Sequence, residues 1–148
     1  RALEISNSLV EIYKKANICL NNNLCRAYIR QALAYRGLHD SENMIAYSNL
    51  AISMDCGDEI HCIAYDIIGY GHIISGNYDE AEKYLIAAIS NNTDIDPYIV
   101  DMCYKDLSLL YTINGDYAQA TKYASKITGP SSQSIHRRYI HIYDKKYR

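Results

Sequence analysis

Apolar residues recur along this chain at the spacing of helices with one buried face. Ala81, Tyr84, Leu85, Ala88 and Ile89 follow the i, i+3, i+4, i+7, i+8 order, and Ala120, Tyr123, Ala124 and Ile127 form a second such stripe. Polar clusters interrupt the pattern at Asn21-Asn22-Asn23, Asp55-Cys56-Gly57-Asp58 and Asn91-Asn92-Thr93-Asp94, and these predict connectors. Asp96-Pro97 supplies an N-cap followed by proline at the first helical position, and Gly129-Pro130-Ser131-Ser132 ends one helix and caps the next. The pattern predicts an all-α chain of seven to eight helices without a strand.

The helices repeat in pairs. YDIIGYGHIISGNYDEAEKYLIAAI at 65–89 aligns without a gap to YKDLSLLYTINGDYAQATKYASKIT at 104–128. Tyr65 pairs with Tyr104, Gly69 with Ser108, Gly76 with Gly115, Tyr78 with Tyr117, Ala81 with Ala120 and Tyr84 with Tyr123. A weaker copy, YIRQALAYRGLHDSENMIAYSNLAI at 28–52, places Tyr28, Ala32, Tyr47 and Ala51 in the equivalent positions and His39 where the others have glycine. The copies are 37 and 39 residues apart. Tyr13 lies 34 residues before Tyr47 and Tyr139 lies 35 residues after Tyr104, so each end is expected to carry half of a further hairpin. The chain is therefore expected to be one repeat domain, residues 1–148, cut from a longer array. Its units are a partial repeat at 2–20, repeats at 24–55, 58–92 and 97–128, and a terminal helix at 132–147.

Small residues at Ala32, Gly69 and Ser108 let the two helices of a hairpin approach, while Tyr28, Tyr65 and Tyr104 fill the space beside them. A lone hairpin cannot bury both faces, so neighbours must stack. Both end units would then leave stacking surface open, which could join copies of the chain into a homo-oligomer.

Composition supports this and excludes several function classes. With 49% apolar residues, seven Gly and two Pro in 148, the chain suits long helices and has enough core to fold without staples. A net charge of −2 gives no electrostatic reason to expect a nucleic acid or an anionic membrane as partner. No apolar run approaches the roughly 18 residues of a membrane span. Sixteen Tyr, with neither Phe nor Trp, suit half-buried sites where a ring packs and its hydroxyl reaches water. The five cysteines, Cys19, Cys25, Cys56, Cys62 and Cys103, have no zinc-site spacing and are expected as free thiols in a cytoplasmic setting, with a periplasmic sensor segment as the alternative. No metal and no cofactor is expected.

Tyr65, Gly69, Gly76-Asn77-Tyr78 and Ala81, repeated as Tyr104, Ser108, Gly115-Asp116-Tyr117 and Ala120, resemble the tetratricopeptide repeat over residues 24–128. The period is longer than that family's usual one, and proline is missing from the end of the second helix. The resemblance implies hairpins stacked in a right-handed superhelix, an α-solenoid that binds protein or peptide along the face of its first helices. Carried over position by position, that face comprises Arg26, Ile29, Leu33 and Arg36 in the first copy. It continues with Ile63, Asp66, Tyr70 and Ile73 in the second, and with Met102, Lys105, Leu109 and Thr112 in the third. Ile29 and Leu33 stand where carboxylate-clamp members of the family have Lys and Asn, which disfavours that ligand class. Long-period repeats of this composition resemble the sensor portions of larger bacterial regulatory proteins and also peptide-pheromone receptors. The alternative is a structural spacer or oligomerisation segment with no free groove.

Catalytic chemistry is not expected. There is no glycine-rich phosphate loop, HExxH, GxSxG or CxxC. Neighbours on a helix point about 100° apart, so His61 and Cys62 do not make a catalytic pair. His72 takes the place of Tyr111 and is expected to pack between helices. The polar stretch HRRYIHIYDKKYR is expected to form a solvated capping helix.

Overall fold

The computed structural model describes residues 2–90 and 94–129, in which six α-helices follow one another: α1 (Ala2–Gly37), α2 (Ser41–Ile52), α3 (Asp58–Ser75), α4 (Tyr78–Ser90), α5 (Pro97–Ile113) and α6 (Tyr117–Ser125). No strand occurs among the described residues. The expected terminal helix at 132–147 and the Asn91-Asn92-Thr93 cluster lie outside them.

One expected break is absent. Asn21-Asn22-Asn23 does not interrupt α1, which runs for 36 residues and joins the expected partial repeat at 2–20 to the first helix of the first hairpin. Asparagine costs a helix only about 0.6 kcal/mol per residue, and residues 2–36 contain neither Gly nor Pro. The three side chains are exposed and stay hydrated, so nothing there favours a turn over the helix.

Each hairpin closes through one left-handed residue, His39 at φ 56°, Gly76 at φ 78° and Gly115 at φ 80°. Asp40 and Asp116 follow the turn and cap the next helix, each Oδ1 accepting a hydrogen bond at 3.1 Å, from Asn43 N and Gln119 N respectively. Asp96 caps α5 through Tyr98 N at 2.9 Å, as the Asp-Pro pair predicts. His39 alone bears a Cβ in this conformation, which costs a non-glycine residue about 1 kcal/mol. His39→Gly is therefore expected to raise the urea unfolding midpoint, with a gain of about 0.5–1 kcal/mol and an unchanged m-value. A lower midpoint would show that the imidazole contributes more than the strain costs.

The small-residue positions are contact points. A Cβ at Gly69 would sit 2.5 Å from Leu85 Cγ and 3.3 Å from Ala81 O, so this glycine sets the α3–α4 approach within its hairpin. At Gly71 it would meet Ile45 Cγ1 at 2.9 Å, so the next glycine sets the approach of α3 to α2 of the preceding hairpin. Ser108 is fully buried and donates to Ala120 O at 2.8 Å.

Around each contact lies the same aromatic trio. Tyr47 of α2 faces Tyr28 at 6.3 Å and stacks on Tyr35 at 5.6 Å. Tyr84 of α4 faces Tyr65 at 6.1 Å and stacks on His72 at 5.5 Å. Tyr123 of α6 faces Tyr104 at 6.2 Å and stacks on Tyr111 at 5.6 Å. His72 is thus a packing ring, as its alignment with Tyr111 predicts.

The expectation of five free cysteines is overturned. Cys25 of α1 is joined by a disulfide to Cys56 in the α2–α3 connector, with Cα atoms 5.9 Å apart. The bond closes a loop of 31 residues, which is worth about 3–4 kcal/mol by loop entropy. The two cysteines are far apart in sequence, and the hairpin itself brings Cys25 to Cys56. The argument for a reducing, cytoplasmic setting falls with it.

The same alignment column performs this fastening three times. Cys25 aligns with Cys62 and Asp101 at the repeat offsets. Cys62 Sγ donates to Ala88 O at 3.1 Å, near the end of α4. Asp101 accepts from Thr128 N, Thr128 Oγ1 and Gly129 N at 3.0, 2.9 and 3.3 Å, just beyond α6. In every copy this residue of the first helix ties down the end of the second.

Candidate functional site

α1, α3 and α5 touch one another in sequence, whereas α2 makes no contact with α4. First helices therefore form the inner layer and second helices splay outward, which makes the α1-α3-α5 face the concave one. The twelve residues expected to line it all lie on these three helices.

They do not stand there alike. Arg26 and Leu33 are exposed, and Arg36, Ile63, Tyr70, Met102, Lys105 and Leu109 are half-buried. Ile29, Asp66, Ile73 and Thr112 are buried, with Asp66 at 0% exposure and Thr112 Oγ1 donating to Ser108 O at 2.7 Å. Ile29 belongs to the core with Ala32, Met44 and Ile67, and Ile73 to the core with Leu85 and Leu107.

Two features share this face. At its start, Arg26, Ile29 and Ile63 line a cleft of about 450 Å³ with Arg30, Glu59 and Ile60. Its floor is apolar, Arg26 and Arg30 stand one helical turn apart on one wall, and Glu59 stands on the other. Cys56 and its disulfide adjoin it.

At the middle of the face the chain binds itself. The Arg36 guanidinium donates to both carboxylate oxygens of Asp106 at 2.8 and 3.0 Å and to Asp66 Oδ2 at 3.3 Å, linking α1, α3 and α5. Its Cζ lies 3.9 Å from the centre of the Tyr70 ring, a cation–π contact. Burial draws the Arg36 pKa down, but the carboxylates of Asp106 and Asp66 more than restore it, leaving it above the ordinary value. Burial, and then the negative charge of Asp106, raise the Asp66 carboxyl well above the usual range, with Arg36 opposing.

Arg36, Asp66 and Tyr70 thus come together, while Asp106 was missed by the sequence reading. Its signal was weak, because Lys105 stands beside Asp106 as an apparent cation and Arg36 reaches it only once the hairpins stack. Arg30, Glu59 and Ile60 were also missed, since they lie one helical step outside the carried-over columns. Among the described residues no group of three or more His, Cys, Asp or Glu side chains is placed to hold a metal ion. None of the described helices is long and apolar enough to cross a membrane.

Comparison with known proteins agrees with the geometry. A family model described as the tetratricopeptide repeat matches residues 26–55 and 64–94. No curated protein and no solved structure shows a significant match. The matched segments are the first two hairpins, and the third has the same turn and the same aromatic trio. Residues 26–55 and 64–94 of the chain are tetratricopeptide repeats.

Proposed function

We propose that this chain is a non-catalytic scaffold that binds a protein or peptide along its α1-α3-α5 face, as the interacting segment of a larger bacterial sensor or regulatory protein. Tetratricopeptide repeats mediate protein–protein interaction as non-catalytic scaffolds. The observation that carries the reading is the cleft at Arg26, Ile29 and Ile63, an apolar floor beside paired arginines. Such a site suits an extended segment with an apolar side chain next to an acidic one. Leu33, Tyr70, Lys105 and Leu109 continue the surface beyond it. Displayed random peptides selected on the immobilised chain are expected to converge on that apolar-acidic pair. Arg26→Glu with Ile63→Ala is expected to weaken the selected peptides at least about tenfold while leaving the helical circular dichroism spectrum unchanged. Selected peptides that bind this double variant equally well would place the interface elsewhere.

A second reading has its own support. The Arg36-Asp66-Asp106 network occupies the middle of the groove with the chain's own side chains, and Ile5, Leu9 and Ile12 are 56%, 49% and 60% exposed on one face of α1. These favour a spacer or oligomerisation segment, which sedimentation showing a concentration-dependent dimer would support.

A further inference from the structure

Two thiols play no part in the groove. Cys62 on α3 and Cys103 on α5 are 3% and 0% exposed, and their sulfur atoms stand 3.8 Å apart across the joint between the second and third hairpins. Both belong to one apolar cluster with Ala88 and Ile99. From outside, a narrow cleft of about 130 Å³, bordered by Asp58, His61, Tyr65 and Ile95, reaches Cys62, whereas Cys103 does not line it. That space admits a molecule of a few heavy atoms. The imidazole of His61 is held by Met54 O at 3.0 Å, so it orders the rim of the cleft.

We propose that Cys62 and Cys103 form an oxidisable dithiol site, in which Cys62 reduces a small hydroperoxide entering this cleft and Cys103 then closes a disulfide fastening α3 to α5. The two sulfurs have unequal roles because their surroundings differ. A hydrogen bond from Cys103 holds Cys62 below the usual thiol value against burial and the charge of Glu59. That same contact, together with burial, pushes Cys103 up. Cys62 is the better thiolate and the one within reach, which are the two conditions for attack on a peroxide.

In the first step the Cys62 thiolate attacks one peroxide oxygen. An S–O bond forms, the O–O bond breaks, and the departing oxygen leaves as water or an alcohol after taking up a proton. Cys103 sulfur then attacks Cys62 sulfur, the S–S bond forms, the S–O bond breaks, and the hydroxyl departs as water with the Cys103 proton. Two thiols lose two electrons and two protons, and one hydroperoxide is reduced. The sulfurs must close from 3.8 Å to about 2.0 Å. Oxidation also removes the S–H that Cys62 donates to Ala88 O, which releases a carbonyl in the last turn of α4.

The test uses the full chain with Cys19→Ser, so that the remaining cysteine cannot report. The protein is exposed to graded hydrogen peroxide, alkylated in denaturant and mapped by mass spectrometry. The expected product is a Cys62–Cys103 cross-linked peptide beside an unchanged Cys25–Cys56 pair. In Cys103→Ser, dimedone is expected to capture a sulfenic acid at Cys62. In Cys62→Ser, oxidation of Cys103 is expected to slow at least about tenfold. Circular dichroism checks that each variant is folded, and the map of the chain with both thiols intact decides the pairing without them. Two thiols that stay alkylatable after peroxide has converted methionines to sulfoxide, a pairing with Cys25 or Cys56, or a sulfenic acid that appears first at Cys103 would each overturn the proposal.

Discussion

Replacing Arg36 by alanine is expected to lower the unfolding free energy by about 3–5 kcal/mol, the usual cost of leaving buried acids without their cation. The guanidinium serves two carboxyl groups from different helices and covers the Tyr70 ring, so its removal takes a tie from all three hairpins at once. Urea unfolding followed by circular dichroism would read the loss. Arg36→Lys is expected to recover only part of it, because a single ammonium cannot reach Asp106 and Asp66 from two separate nitrogens while covering the Tyr70 ring. A loss under 1 kcal/mol in the alanine variant would mean that water already screens the cluster.

The network also gives the fold a pH dependence of definite sign. Asp66 is held above its ordinary range in the folded state, so the folded chain keeps a proton that the unfolded chain gives up. The contribution is complete below the unfolded carboxyl value of about 3.9 and is lost as pH rises through the folded value. Asp66→Asn is neutral at every pH, so it is expected to flatten the decline in stability between those two values.

Gly69→Leu is the second substitution with a large expected effect. Even the first added carbon would stand 2.5 Å from Leu85 Cγ, and Ala81 O at 3.3 Å blocks the way around it. Overpacking of this kind costs about 1–3 kcal/mol, at the upper end here because backbone as well as a side chain must move. The thermal midpoint is expected to fall by roughly 5–10 °C. Gly71→Ala provides the comparison, since the atom it meets at 2.9 Å belongs to the Ile45 side chain, which can rotate away. Equal midpoints for Gly69→Leu and the parent chain would show that α3 and α4 are not held at this separation.

Most of the architecture could be read from the sequence because it depends on local spacing. Tyr65, Gly69, Gly76 and Tyr84 recur as Tyr104, Ser108, Gly115 and Tyr123, and each is used in the fold as its column predicts. His39 was aligned with two glycines, and its positive φ follows from that alignment. The failures concern pairings between distant residues. Cys25 meets Cys56 only after the first hairpin has closed, and Arg36 meets Asp106 only when three hairpins have stacked, 70 residues apart. A column-by-column reading treats each position as open to a ligand, and so cannot tell that Asp66 is already taken or that Arg30 and Glu59 border the cleft at Arg26.

The tie that holds the end of each hairpin's second helix is of a different chemical type in each copy: a disulfide in the first, a thiol in the second and a carboxylate in the third. Modules that look interchangeable by backbone are therefore individually addressable joints. A reductant opens the joint of the first hairpin and leaves that of the third in place. Since stability in a stacked array is a sum over units and their neighbours, a reducing setting weakens the first of these three units without weakening the third.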